Sequence, residues 1–155
     1  MNIQERIEAL ETEFNEKIKA LKAEAQQVDE FPRDGDIYWY IGLFGAILCG
    51  NWVGDAAGTH LLTVGNVYKT DQEAVFALEK LKVEAELRKY STPFKEDENN
   101  CFIQINSSYN NIVIDTDEGY QTQGTIYYET RKEALLAIDT VGEDRIKKYI
   151  FGVED

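Results

Sequence analysis

Apolar residues recur near the start of the chain at spacings of four, three, four, four, three and four. These spacings place seven apolar residues, the last of them Ala25, on one stripe of an α-helix, and the positions between them are mostly strong helix formers. The pattern predicts a coiled-coil helix over residues 1–30, because so narrow a stripe needs a partner to cover it. We expect a second copy of the chain to be that partner, giving a homodimer or higher homo-oligomer; packing on the following domain is the alternative. The predicted seam consists of Ile3, Ile7, Leu10, Phe14, Ile18 and Leu21.

After a Pro-x-Asp-Gly turn the pattern changes to that of strands. Over residues 36–92 the pattern predicts a first unit of three strands and a helix. Its helix begins at Thr70, because Thr70 and Glu73 form a capping-box pattern, and it runs to about Tyr90. The expected strands are Ile37 to Ile41, Ala46 to Trp52 and a third, short strand into which Leu61 to Val67 leads, with a glycine-rich loop at Gly54 to Gly58.

Residues 100–155 predict a second unit with the same plan, followed by a C-terminal helix. Aligning the two halves matches Gly65 with Gly124 and Thr70 with Thr130. A repeat of about 60 residues that preserves strand end, cap and helix face indicates internal duplication. The predicted fold class is therefore α+β, with an N-terminal coiled-coil helix and a duplicated strand-strand-strand-helix unit that forms antiparallel sheet with its helices on one face.

The chain has 155 residues and a net charge of −13. This charge argues against direct nucleic-acid binding, which depends on Lys and Arg, and suits a basic protein surface as partner. The N-terminal sequence lacks a signal-peptide pattern and no apolar run is long enough for a membrane helix, so we expect a cytoplasmic protein with no membrane contact. Cys49 and Cys101 lie in apolar stretches and are expected to be buried free thiols.

The sequence carries no catalytic signature, so a non-enzyme without cofactor or metal is expected. Asp55 and His60 share the glycine-rich loop but have no third partner or nucleophile in the pattern. The acidic run from Asp115 to Glu118 lacks the twelve-residue spacing of a calcium loop and predicts a polar turn.

Two residue types point to a binding surface. Acidic side chains dominate residues 91–123, a segment that contains six acidic residues and one basic residue. Exposed Tyr and Trp are typical of recognition surfaces, although the same rings can pack helices onto the sheet. The expected partner-binding residues are Glu96, Asp97, Glu98, Asp115, Asp117, Glu118, Trp39, Trp52, Tyr109 and Tyr120.

The strings Gly35-Asp36-Ile37-Tyr38-Trp39-Tyr40-Ile41 and Gly65-Asn66-Val67-Tyr68-Lys69-Thr70, with the tail Arg145 to Gly152, resemble a family of small coiled-coil-plus-α/β accessory proteins of phages and prophages of Gram-positive bacteria. The resemblance implies a phage-encoded, non-catalytic inhibitor of a bacterial defence system, comparable to an anti-CRISPR protein and acting in the host bacterial cytosol on a defence protein with a basic surface. Two alternatives remain open: a sponge that sequesters a nucleotide immune signal, and a structural or assembly protein that uses its coiled coil.

Overall fold

The computed structural model describes residues 3–26 and 31–153. The chain divides into two compact units. The first comprises residues 1–39 and 49–69, and the second comprises residues 40–48 and 70–155. Within the described residues the fold is mixed α+β, as predicted, with five α-helices and two small antiparallel sheets rather than one.

The N-terminal helix α1 spans Ile3–Gln26, which confirms the predicted helix; residues 1–2 and 27–30 of the prediction lie outside the described residues. Short-range contacts support it, including an ion pair of 2.6 Å between Lys17 Nζ and Glu13 Oε1 one turn apart. Its apolar stripe is exposed at most positions. Within one chain, α1 is therefore stabilised by local helix propensity rather than by burial of one face.

Strands β1 (Ile37–Ile41) and β2 (Ile47–Asn51) form a two-stranded antiparallel hairpin whose base lies in the first unit and whose tip lies in the second. The hairpin turns through a short 3-10 segment in which Phe44 adopts a φ of 62°. At the base, the Trp39 and Tyr68 backbones form an isolated antiparallel bridge. Cys49 is exposed on β2, contrary to the prediction of a buried thiol, because a two-stranded hairpin leaves one strand face open.

The predicted glycine-rich loop is wrong in part, because residues Ala56–Thr63 form helix α2. The third strand expected after Leu61 to Val67 is present only as the single bridge at Tyr68. Asp55 caps the helix, since its Oδ1 accepts a hydrogen bond of 2.8 Å from the Gly58 N–H. Gly58 is buried in the helix beneath Trp52, where an added Cβ would lie 3.0 Å from the indole Cζ3. The glycine thus serves close packing rather than a loop.

The second unit contains a three-stranded antiparallel sheet. Its strands are β3 (Asn100–Asn106), β4 (Asn111–Asp117) and β5 (Tyr127–Tyr128), in the order β4-β3-β5. Because side chains alternate between the faces, Cys101 and Ile114 point into the core while Phe102 and Asp115 lie on the opposite face. The open edge of β4 is partly covered by Arg131, whose Nη1 donates to the Ile114 carbonyl at 3.0 Å.

Three helices complete the second unit: α3 (Asp71–Arg88), α4 (Arg131–Val141) and α5 (Glu143–Phe151). Helix α4 lies on the sheet, whereas α5 packs chiefly on α3 and α4. Glu86 on α3 holds Arg145 on α5 through bonds of 3.0 and 3.3 Å, and the pKa of Glu86 is lowered by that hydrogen bond. The core joins all these elements through Val83, Leu87, Cys101, Ile114, Tyr128, Ala134, Ala137, Val141 and Ile146.

Both predicted threonine caps are present. The Thr70 hydroxyl accepts from the Glu73 N–H, and Thr130 forms a complete capping box with Glu133. We expect Thr70→Ala and Thr130→Ala each to lower the free energy of unfolding by about 1 kcal/mol, because each leaves a helix-terminal N–H without its acceptor. Urea unfolding followed by circular dichroism measures this loss. Thr→Ser at the same positions should restore most of it, and an unchanged midpoint for both alanine variants would contradict the capping role.

Candidate functional site

The fold brings the predicted acidic residues together at one end of the second unit's sheet. Glu96, Asp97 and Glu98 occupy a turn that precedes β3, and the remaining acids lie at the end of β4 or just beyond it. The Asp97 N–H donates to the Glu118 carbonyl at 3.2 Å, which joins the two segments directly. The acidic turn and the end of β4 therefore lie next to each other, and the six acids that these two segments carry are called the acidic face: Glu96, Asp97, Glu98, Asp115, Asp117 and Glu118.

Asn100, the first residue of β3, holds this arrangement together through its side chain. Its side chain is 4% exposed and bonds only to backbone groups. Its Oδ1 accepts from the Lys95 N–H at 2.8 Å, and its Nδ2 donates to the carbonyls of Lys95, Glu98 and Asp117 at 2.8, 2.7 and 3.1 Å. The one buried amide of Asn100 thus joins the acidic turn to the end of β4. Buried polar groups satisfied in this way rigidify their surroundings.

Further hydrogen bonds orient the carboxylates of β4. Asp117 Oδ1 accepts from the Gly119 and Tyr120 N–H groups at 3.1 and 3.0 Å and so shapes the turn that follows. Asp115 Oδ2 accepts from Gln104 Nε2 at 2.8 Å across the strands. The polar turn predicted for Asp115 to Glu118 is therefore wrong over most of its length, because β4 continues to Asp117 and the bend begins at Glu118. Two carboxylates are held in place while Glu96, Asp97 and Glu118 remain exposed.

Lys95 is the one base within residues 91–123, and it lies beside the acids. Its Nζ lies 3.4 Å from Glu98 and 3.5 Å from Glu129. The hydrogen bond to Glu98, followed by the charge of Glu129, raises the pKa of the Lys95 ammonium. Lys95 therefore stays protonated at physiological pH and offsets only part of the surrounding negative charge.

The predicted aromatic residues are divided between different places. Tyr120 is 80% exposed and follows the acidic face directly, while Tyr109, 81% exposed, lies in the β3–β4 turn at the opposite end of the strands. Trp39 and Trp52 belong to the first unit and are half-buried. Trp52 packs edge-on against Tyr38 at 5.6 Å between ring centroids. Of the four aromatics, Tyr120 is the one that the second unit places beside the acids.

A cavity of about 260 Å³ lies elsewhere in the second unit, among α3, α5, β3 and the segment before β5. Its lining is mainly apolar and contains no Lys or Arg, and Glu84 is its charged member. The Tyr128 side chain in this lining is fully buried, its hydroxyl has no hydrogen-bond partner among the described residues, and burial raises its pKa to about 12. The apolar lining does not suit a phosphate group.

The positions considered for catalysis or metal binding have structural roles. Asp55 caps α2, and His60 lies within the same helix. Cys101 lies in the core, and this burial raises the pKa of its thiol. Within residues 3–26 and 31–153, no group of three or more His, Cys, Asp or Glu side chains has an arrangement that would hold a metal ion.

Comparison with protein-family models, with curated proteins and with solved structures gave no significant match. In the described part of the chain, no helix combines the length and the apolar character that a membrane span requires. Functional inference therefore depends on the chain's own geometry.

Sequence reasoning missed Asn100, the residue that organises the site. The run from Lys95 to Asn100 is polar and acidic, a composition that is typical of a solvated connection. The only signal in the sequence is an Asn immediately before a strand, a position at which Asn commonly bonds to nearby backbone. That its partners include the Asp117 carbonyl, seventeen residues away, follows from the pairing of β3 with β4.

Proposed function

We propose that this chain is a non-catalytic inhibitor that binds a basic surface of another protein through the acidic face. The observation that carries the proposal is the contact between the acidic turn and the end of β4, two segments that carry six acids and that Asn100 joins. A preformed cluster of one sign attracts a basic partner at a distance and needs no ordering upon contact. Tyr120, exposed beside the cluster, offers an aromatic contact with a polar tip.

The biological setting of this proposal comes from the resemblance to phage and prophage accessory proteins. In that setting the partner is a bacterial defence protein whose basic surface normally receives nucleic acid, and the inhibitor competes for it in the host cytosol. A negatively charged protein surface can occupy such a channel because it presents the same sign of charge as the phosphate backbone. The cavity favours this reading over a nucleotide sponge, since its lining lacks a cation for a phosphate.

We also infer that the chain contains an internal duplication. The two halves share an order of pairing: Tyr68 bridges the first strand β1 through Trp39, as Tyr127 pairs with Phe102 on β3. In both halves a glycine with positive φ precedes this tyrosine, and a capped helix follows it. The helix α2 in the first half is the main departure. On this interpretation the acidic turn belongs to the connection between the two copies.

Charge reversal tests the proposed function. A variant with Glu96→Lys, Asp97→Asn and Glu98→Lys should lower partner affinity mainly through the association rate, and the loss should shrink above about 0.5 M salt. Asparagine is chosen at Asp97 because that residue has a φ of 61°, which Asn tolerates. Binding rates can be measured by surface plasmon resonance on the partner recovered from a bacterial lysate.

A matched control carries the same total charge change at exposed acids elsewhere: Asp34→Asn, Asp139→Lys and Asp144→Lys. It should associate at close to the unmodified rate. Equal losses in both variants would mean that net charge alone matters and that the acidic face is no specific site. Unchanged binding by the first variant, together with a nucleotide released from the purified protein, would favour the sponge instead.

A further inference from the structure

Helix α1 presents an apolar stripe that its own chain leaves open. Ile3, Leu10 and Phe14 are 76%, 64% and 64% exposed, and Leu21 is similarly accessible. The stripe extends over most of a 24-residue helix, about 36 Å long at 1.5 Å per residue. Singly exposed apolar residues are ordinary on a protein surface, but an aligned series of this length marks an interface.

The spacing of the stripe is symmetric about Phe14. Leu10 and Ile18 lie four residues to either side, and Ile7 and Leu21 lie seven residues to either side. In an antiparallel pair centred on Phe14, Leu10 therefore meets Ile18 of the second copy and Ile7 meets Leu21. In a parallel pair each residue faces its own counterpart whatever the spacing. The stripe fits both arrangements, so the charges decide between them.

Charge is distributed unequally along α1. Residues 3–16 contain five glutamates and one arginine, a net charge of −4, whereas residues 17–26 contain three lysines and one glutamate, a net charge of +2. An antiparallel pair places the acidic half of each copy beside the basic half of the other. A parallel pair places acidic beside acidic and basic beside basic, which is unfavourable for charges flanking a seam.

Individual flanking residues agree with this. Helical periodicity of 100° per residue places Glu8 and Lys22 on one flank of the stripe, and Glu13 and Lys17 on the other. A two-fold axis through Phe14 brings like flanks together. Glu8 then comes within about 3 Å along the axis of Lys22 of the second copy, and Glu13 lies equally close to Lys17 of the second copy.

From these observations we propose that α1 mediates dimerisation with a second copy of this chain in antiparallel orientation, with Phe14 at the centre. The pair buries the apolar stripes against each other and places opposite charges on both flanks. The proposal is independent of the proposed function, because the acidic face lies in the second unit and α1 in the first.

Site-directed cross-linking tests the orientation on the full chain. Ile7→Cys and Leu21→Cys are made separately in a Cys49→Ser background, since Cys49 is exposed and Cys101 is buried. One variant carries a mass tag, and copper phenanthroline serves as oxidant. An equimolar mixture should give mainly the mixed disulfide dimer, while each variant alone should remain largely uncross-linked. Self-cross-linking of each variant alone would show parallel pairing and overturn the proposal.

Light scattering provides the second measurement. The unmodified chain should have twice the molar mass of one chain, and a Leu10→Asp, Phe14→Asp variant should have the mass of one chain with an unchanged thermal transition of the body. A monomeric unmodified chain at tens of micromolar would overturn the proposal. Both cysteine variants leave residues 95–118 intact, so the binding test of the acidic face gives a separate result.

Discussion

Asn100→Ala is expected to lower the free energy of unfolding by about 2–3 kcal/mol. The change removes four hydrogen bonds to backbone groups at a position that is almost fully buried. Backbone carbonyls that lose a buried partner bear a desolvation penalty unless the turn opens to water. We therefore expect the turn at residues 95–98 to open, with faster amide exchange at Lys95 and Asp97, whose N–H groups bond within this arrangement. Urea unfolding and hydrogen exchange measure the two effects.

Asn106→Ala is the matched control, because Asn106 ends the same strand that Asn100 begins. Its Oδ1 accepts a single exposed bond, of 3.1 Å, from the Ser108 N–H. The expected loss is below about 1 kcal/mol. If the two alanine variants proved equally stable, Asn100 would not be the residue that holds the acidic face together. If Asn100→Ala slowed partner association as well, rigidity of the face would matter in addition to its charge.

The charges of the site could be predicted from the sequence, but their convergence could not. Glu96 and Glu118 each belong to acidic runs that composition alone reveals. Their proximity depends on the register of β3 with β4, in which Asn100 lies opposite Asp117. Packing on the buried face fixes that register, and this packing depends on helices far away in the sequence, which a short window of residues does not contain. The separation of Tyr109 from Tyr120, at opposite ends of the strands, follows from the same pairing.

The elements predicted best are those with signals from neighbouring residues. The stripe of α1 and the threonine caps of α3 and α4 act over three or four residues, so a short window contains the whole cause. β1 is similar, because its β-branched and aromatic composition favours a strand directly. In each case local preference and the final fold agree, as expected where no distant contact overrides them.

Helix α2 shows where such reasoning fails. Two glycines and an apolar run suggested a loop and a strand, yet Asp55 caps a helix there. A side chain at Gly58 would be crowded by the Trp52 ring, since an added Cβ would lie 3.0 Å from the indole Cζ3, and this contact forms only once the helix is in place. A glycine in a helix costs up to about 1 kcal/mol relative to alanine, and this packing offsets that cost. Propensity alone assigns such a segment to a loop.

Ile146→Ala in α5 is expected to lower the free energy of unfolding by about 3 kcal/mol, a loss that urea unfolding would measure. Ile146 is 0% exposed and belongs to the core that joins α3, α4 and the sheet. Truncation removes three carbons of apolar contact, and because Ile146 already lines the cavity of about 260 Å³, the space enlarges. Leu136→Ala, on the half-exposed side of α4, is the control and should cost less than about 1 kcal/mol. Equal losses from the two variants would mean that α5 contributes little to the core. A large loss confined to Ile146 would show that the C-terminal helix is an integral part of the second unit, because Ile146 is the fully buried residue through which α5 joins the core.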